Sequence, residues 1–316
     1  MNMQSGAMQS LQATVPITVT IPARRRFYWS LRREFWEYRS LYLAPLAIAA
    51  LFLCAFLVGE VHASFHMNTS PAVGPIHRPD LFQQSAQSHV VGAYTFAAYV
   101  LMAISLIVAI FYCLDTLYGE RRDRSILFWK SLPVSDLTSV LAKATIPIVI
   151  LPLITFVLTV VTQWIMLVLS SGVALVRGEN LAGVWGQVPF FQMSLMLFFH
   201  LLFIHGFQFA PVYGWLLLIS AWAPRAPLLW AVLPPLGIGI AEKLAFNTHY
   251  FARMMGYLIG GGPEAIPFTQ GKMEIAPLTA TAVAKFFAFP GFWVGLAVTA
   301  LFLAAAVRMR RSREPI

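Results

Sequence analysis

Glu60, His62 and His66 are the residues whose types and spacing come nearest to a metal site. Two histidines four apart share one face of a helix, and imidazole suits zinc or copper. A third ligand at useful spacing is missing, so the group reads as a polar rim at the end of an apolar run. His200 and His205 lie inside another apolar run. Five residues turn an α-helix through about 140° beyond a full turn, so as an α-helical pair they do not face one ion together. Either can hydrogen-bond across helices or ligate haem. Glu242-Lys243 is a charge pair at a span end and reads as an interfacial anchor. Gly271-Lys272 imitates the end of a phosphate loop, but that pattern needs glycine at 266 and Ser or Thr at 273. The chain has Ile266 and Met273 there. Gln163, Gln192, Gln208 and Asn247 are polar groups in apolar surroundings that can line a pathway or bind helices together. Cys54 and Cys113 both fall in apolar runs, which excludes a disulfide framework or zinc knuckle. No serine-protease, metalloprotease or paired-carboxylate constellation stands out.

The elements that position these groups are organised around one polar island, Asp115 to Asp136, between the apolar runs Val90–Leu114 and Ile146–Ser170. Its first half carries Glu120, Arg121, Arg122, Asp123 and Arg124. Its second half carries Ile126, Leu127, Phe128 and Trp129, followed by Lys130. Pro133 ends the helix there, and Ser135 with Asp136 can cap the next one. A short helix with charges at its start and bulky apolar groups behind suits a membrane surface or a partner's groove.

The run Glu-Arg-Arg-Asp-Arg-Ser-Ile-Leu from Glu120, then Ser-Leu-Pro-Val-Ser from Ser131, then Lys143, resembles type-2 ABC exporter permeases. Arg124 stands where that family often has glycine. The resemblance implies that Glu120 to Lys130 form a cytoplasmic coupling helix touching a separate ATPase subunit, present in two copies and holding ATP and magnesium. It also implies a second permease chain, in a homodimer or else a heterodimer, and small outer helices between the fifth and sixth spans. This chain would then form the pathway and carry no catalysis of its own.

Composition sets the class. Of 316 residues, 59% are hydrophobic and 11% charged, against roughly 45–50% and about 25% in soluble domains. A soluble core does not hide that much apolar side chain, so the chain reads as an all-α integral membrane protein. The net charge of +9 gathers in clusters flanking apolar runs, which fits anionic lipid and orientation rather than nucleic acid.

In order, residues 1–23 read as a mobile tail. Residues 24–39 read as an interfacial amphipathic helix. Phe27, Leu31, Phe35 and Tyr38 recur at helical spacing, with Arg25, Arg32, Arg33 and Arg39 on the polar side. The polar stretch before the first apolar run is too long for a signal n-region, so that run reads as a retained span. The six-span region is 41–308, and 309–316 is a basic tail. Pro147 and Pro152 are expected to kink the third span. The 35 residues of 189–223 would measure about 52 Å as one helix, so they form one kinked span near Pro211 or two short ones. Counting one span puts 16 of the 22 basic residues on one side with both termini, the arrangement the positive-inside rule favours. Pro234-Pro235 are expected to break the fifth run, and 242–289 to form short outer helices. Composition and topology imply a multi-pass protein of a bacterial-type inner membrane with both termini cytoplasmic, and the resemblance to type-2 exporters implies the permease subunit of an ATP-driven exporter. The alternative is a membrane-embedded haem- or metal-binding protein using the histidines.

Overall fold

A computed structural model describes residues 22–67, 79–131, 134–178, 180–260 and 280–312. Almost all of the expected tail, and the glycine-rich stretch after Gly260, lie outside them, as do the side chains of His66, Trp129 and Lys130. Among the described residues the architecture is wholly helical. Six helical runs are long and apolar enough to cross a membrane: Ser40–His62, Val91–Arg122, Asp136–Val176, Leu181–Gln208, Pro227–Phe246 and Pro290–Ser312. The chain is a multi-pass membrane protein by that measure.

Helix α1 spans Ala23–Glu37 and α2 Ser40–Met67, joined at Tyr38 and Arg39. Helix α3, Pro79–Arg122, carries the second apolar run and the start of the polar island in one piece, and the short α4 is Ser125–Ser131. Helix α5, Asp136–Thr145, starts on Ser135, whose side chain accepts from the Thr138 amide at 3.2 Å, the cap expected from the sequence. It continues through a π-helical segment, Ile146–Ile150, into α6, Leu151–Val176. Pro147 therefore lies within the π-helical segment and Pro152 in the first turn of the α-helix that follows it, positions where a missing amide is tolerated.

Helices α7, Leu181–Gln187, and α8, Phe190–Phe199, lead into a second π-helical segment, His200–Gln208, and then α9, Ala210–Trp222. Only Phe209 separates the last two, and hydrogen bonds cross it: its amide donates to Ile204 O and its carbonyl accepts from Tyr213 N. The stretch 189–223 is thus one interrupted helical path with its irregularity next to Pro211.

Helix α10, Pro227–Phe246, corrects an expectation. It runs through Pro234 and Pro235 without breaking and ends at Asn247, which adopts a left-handed conformation. Pro235 supplies no amide for the Ala231 carbonyl, but Trp215 Nε1 of α9 donates to that oxygen at 3.0 Å. A proline is tolerated inside a membrane helix when a neighbour satisfies the freed carbonyl. Helices α11, Tyr250–Gly260, and α12, Ala280–Ala288, precede α13, Pro290–Ser312. Residues 309–312 thus continue α13 rather than opening the expected tail.

Close helix contacts are built on small residues, as in a medium where apolar burial alone gives no drive to associate. On α9, Gly214 lies against Thr299 and Phe302 of α13; on α13, Gly295 lies against Pro211. The two π-helical segments also cross, and a Cβ on Gly206 would overlap the Ile148 carbonyl oxygen.

Candidate functional site

The charged end of α3 is sewn into the bundle by ion pairs from three other helices. Glu120 is buried and meets Arg33 of α1 at 2.7 Å, Arg310 of α13 at 3.0 Å and Lys143 of α5 at 3.2 Å. A second carboxylate, Glu34, is 2% exposed. It receives Lys143 Nζ at 2.9 Å, Tyr112 Oη at 2.8 Å and Thr116 Oγ1 at 3.2 Å. Lys143 also donates to Thr116 Oγ1 at 2.7 Å, so one ammonium serves both carboxylates and the hydroxyl between them. Buried charges persist only when paired and hydrogen-bonded in this way. Asp136 closes the edge of the cluster, 3.6 Å from Arg310 and 3.8 Å from Arg311.

Arg33 stays charged beyond its ordinary range. Burial opposes that charge, and the carboxylates of Glu34, Glu120 and Glu37 outweigh it. Tyr38 donates to Asp115 at 3.2 Å, and burial followed by the Asp115 charge raises its phenol.

Arg121 turns the other way. Its guanidinium donates to the carbonyls of Ser220 at 3.1 Å and Ala223 at 2.5 Å, so a cation closes the C-terminus of α9. The Ser220 hydroxyl enters the α3 ladder: it accepts from the amides of Leu117 and Tyr118 and donates to the Leu114 carbonyl.

Past Arg122 the chain reverses its hand for one residue. Arg124 has φ of 56°, the left-handed region that favours glycine. Helix α4 follows, with Ile126 buried and Leu127 and Phe128 exposed. The ten residues expected to act together at the polar island are therefore divided. Glu120, Arg121 and Ile126 face the interior, whereas Arg122, Asp123, Arg124, Leu127 and Phe128 face outward. The inward turn of Glu120 and Arg121 differs from the outer contact that the resemblance implies for them, and its cause is the supply of partners: Arg33, Arg310 and Lys143 for the acid, α9 carbonyls for the base.

Helix α1 also divides differently from its sequence pattern. Leu31, Phe35 and Tyr38 pack on the core around Tyr112 and Val140, and Phe27 is half-buried, so the periodic apolar face meets protein. Arg33 leaves the polar side to reach Glu120, while Arg32 remains exposed. Glu34 was missed by sequence reasoning. Its signal is its position: it sits three after Leu31 and four before Tyr38, in the middle of the buried face.

The histidines change as well. His200 and His205 place their ring centroids 5.5 Å apart. They lie in the π-helical segment, where hydrogen bonding between residues five apart brings such residues onto one face. The separation expected of an α-helix does not apply. Among the described residues, no group of three or more His, Cys, Asp and Glu side chains gathers as a metal site. Gln163 and Gln208 bind helices: Nε2 of each donates to a backbone carbonyl, Tyr94 at 3.3 Å and Leu258 at 2.7 Å. Glu242 accepts from Thr248 and from the amides of Tyr250 and Phe251, tying α10 to α11 rather than pairing with Lys243. No protein-family model, curated protein or solved structure matches the chain.

Proposed function

We propose that this chain is the permease subunit of an ATP-driven exporter and that α4 docks on a separate ATPase. The carrying observation is the exposed Leu127–Phe128 pair, with Phe128 60% exposed, beside the exposed Arg122, Asp123 and Arg124. An apolar anchor with a charged rim suits a partner's groove better than water. The resemblance of the same stretch to type-2 exporters supplies the ATPase. In this reading Ile126 seats α4 and Glu120 and Arg121 fasten the adjoining end of α3, so that force on α4 reaches α1, α5, α9 and α13 through α3. The resemblance extends the contact to Trp129 and Lys130. ATP and magnesium bind on two partner ATPase chains, two permease chains pair, and cargo passes at or near their interface. The membrane is a bacterial-type inner membrane and both termini are cytoplasmic, as the distribution of basic residues favours.

The test is reconstitution with a candidate P-loop ATPase that lacks membrane spans of its own. Native mass spectrometry should show two permease chains with two ATPases. Phe128→Ala should weaken ATPase binding by about 2 kcal/mol, the size of an interface hot spot. Unchanged ATPase binding and cargo-stimulated hydrolysis in both Phe128→Ala and Trp129→Ala would reject the docking surface. Reporter fusions after residue 313 and within 260–262 should report opposite sides; a periplasmic C-terminus refutes the orientation.

A second reading rests on the adjacent rings of His200 and His205, which make a haem- or metal-binding membrane protein its basis. A Soret band or stoichiometric metal in the purified chain would favour it.

A further inference from the structure

Helix α1 carries a second periodic face, opposite the one that packs on the bundle. Arg25, Trp29, Arg32, Trp36 and Arg39 follow one another at spacings of four, three, four and three residues. At about 100° per residue the four positions within α1, Arg25 to Trp36, fall within roughly 30° of one line along the helix; Glu34 lies on the opposite side, and Arg39 follows in the link to α2. All five are exposed, Trp36 by 72%. The Arg32 guanidinium sits 5.1 Å from the Trp29 ring centre and 5.3 Å from that of Trp36. Cation–π contacts of this kind hold the guanidinium in place between two indoles. Tyr28 packs edge-on against Trp29 and is itself exposed.

The position of the stripe identifies what meets it. The first candidate span opens at Ser40, directly after Arg39. A helix joined so closely to a span lies at the level of the lipid headgroups, where tryptophan is favoured and basic residues attract anionic lipid. Two exposed indoles suit the apolar–polar boundary, and three arginines suit phosphate, to which guanidinium can donate in pairs.

We propose that the Arg25–Trp29–Arg32–Trp36–Arg39 stripe is a docking surface for the headgroups of anionic phospholipid. The inference rests on the reading of Ser40–His62 as a membrane span, and not on any ATPase. It also reverses the expectation for α1: the face of Phe27, Leu31, Phe35 and Tyr38 belongs to the bundle, and the arginine–tryptophan face to lipid.

The experiment uses the full chain in mild detergent, titrated with phosphatidylglycerol or phosphatidylcholine and followed by native mass spectrometry. The wild type should take up phosphatidylglycerol in preference. Joint replacement Arg25→Gln, Arg32→Gln and Arg39→Gln should reduce that preference, by roughly fivefold for each arginine that meets the surface. Arginine-to-lysine replacement at the same three positions should retain most of it, because the charge remains. Trp29→Ala with Trp36→Ala should weaken uptake of both lipids alike. The rise in unfolding temperature on adding phosphatidylglycerol, read against each variant's own lipid-free value, separates lost lipid binding from a general loss of stability. An unchanged preference in the glutamine set overturns the proposal. So does a glutamine set that keeps its lipid preference but loses a co-purifying protein, which assigns the stripe to that protein instead.

Discussion

Lys143 Nζ lies 2.9 Å from Glu34 Oε1, joining α5 to the helix that precedes the first span, with both side chains sealed inside the protein. Removing the lysine leaves Glu34 without its cation and Glu120 with fewer. Lys143→Met should destabilise the chain by about 3–5 kcal/mol, the range for stranding a buried charge. Adding Glu34→Gln should recover part of that loss, so the two changes should not add. Unfolding in mixed micelles measures both. A loss below about 1 kcal/mol for Lys143→Met would show that the pair contributes little.

Arg124 holds a left-handed backbone that costs a side-chain-bearing residue roughly 1–2 kcal/mol. Arg124→Gly should therefore stabilise the chain by about 1 kcal/mol, whereas Arg124→Val should destabilise it. Equal unfolding midpoints for the two variants would contradict the strained turn.

At the crossing of the π-helical segments, Gly206→Ala should cost about 1–3 kcal/mol, because the Ile148 carbonyl occupies the space of the new methyl group. Gly172, also helical, has nothing within 4 Å of a built Cβ. Gly172→Ala should be neutral or stabilising by up to about 1 kcal/mol. Matched losses in the two variants would place the effect elsewhere than the crossing.

Trp215 and Pro235 should be energetically coupled. Trp215→Phe strips the donor from the Ala231 carbonyl and should cost about 1–3 kcal/mol for the stranded oxygen, beyond any packing loss. In a Pro235→Ala background the helix regains the amide that faces this carbonyl, and the same replacement should cost less. A double-mutant cycle with no coupling would deny the bond its role.

The membrane class, the long apolar helices and the Ser135 cap were legible because length, composition and capping chemistry act locally. The outward half of the polar island was legible for the same reason: Leu127 and Phe128 follow the charges directly. Glu34 was not, because a lone carboxylate among arginines looks solvated until Lys143, 109 residues away, is folded against it. The inward turn of Glu120 and Arg121 was not legible because their partners, Arg33, Arg310 and the end of α9, are far away in the chain. The meeting of His200 and His205 was hidden by the helix type itself, since apolar composition does not distinguish an α from a π register. Pro234-Pro235 misled because the remedy for a missing amide sits on another helix, at Trp215.

The Ser220 hydroxyl bonds the amides of Leu117 and Tyr118 and the carbonyl of Leu114, at the boundary where the apolar part of α3 gives way to its charged end. A side chain seated in the ladder is a recognised cause of helix bending. Here that side chain comes from α9, so residues 114–118 of α3 are held by a neighbouring helix as well as by their own ladder, and one serine registers the two helices where the bilayer part of α3 ends.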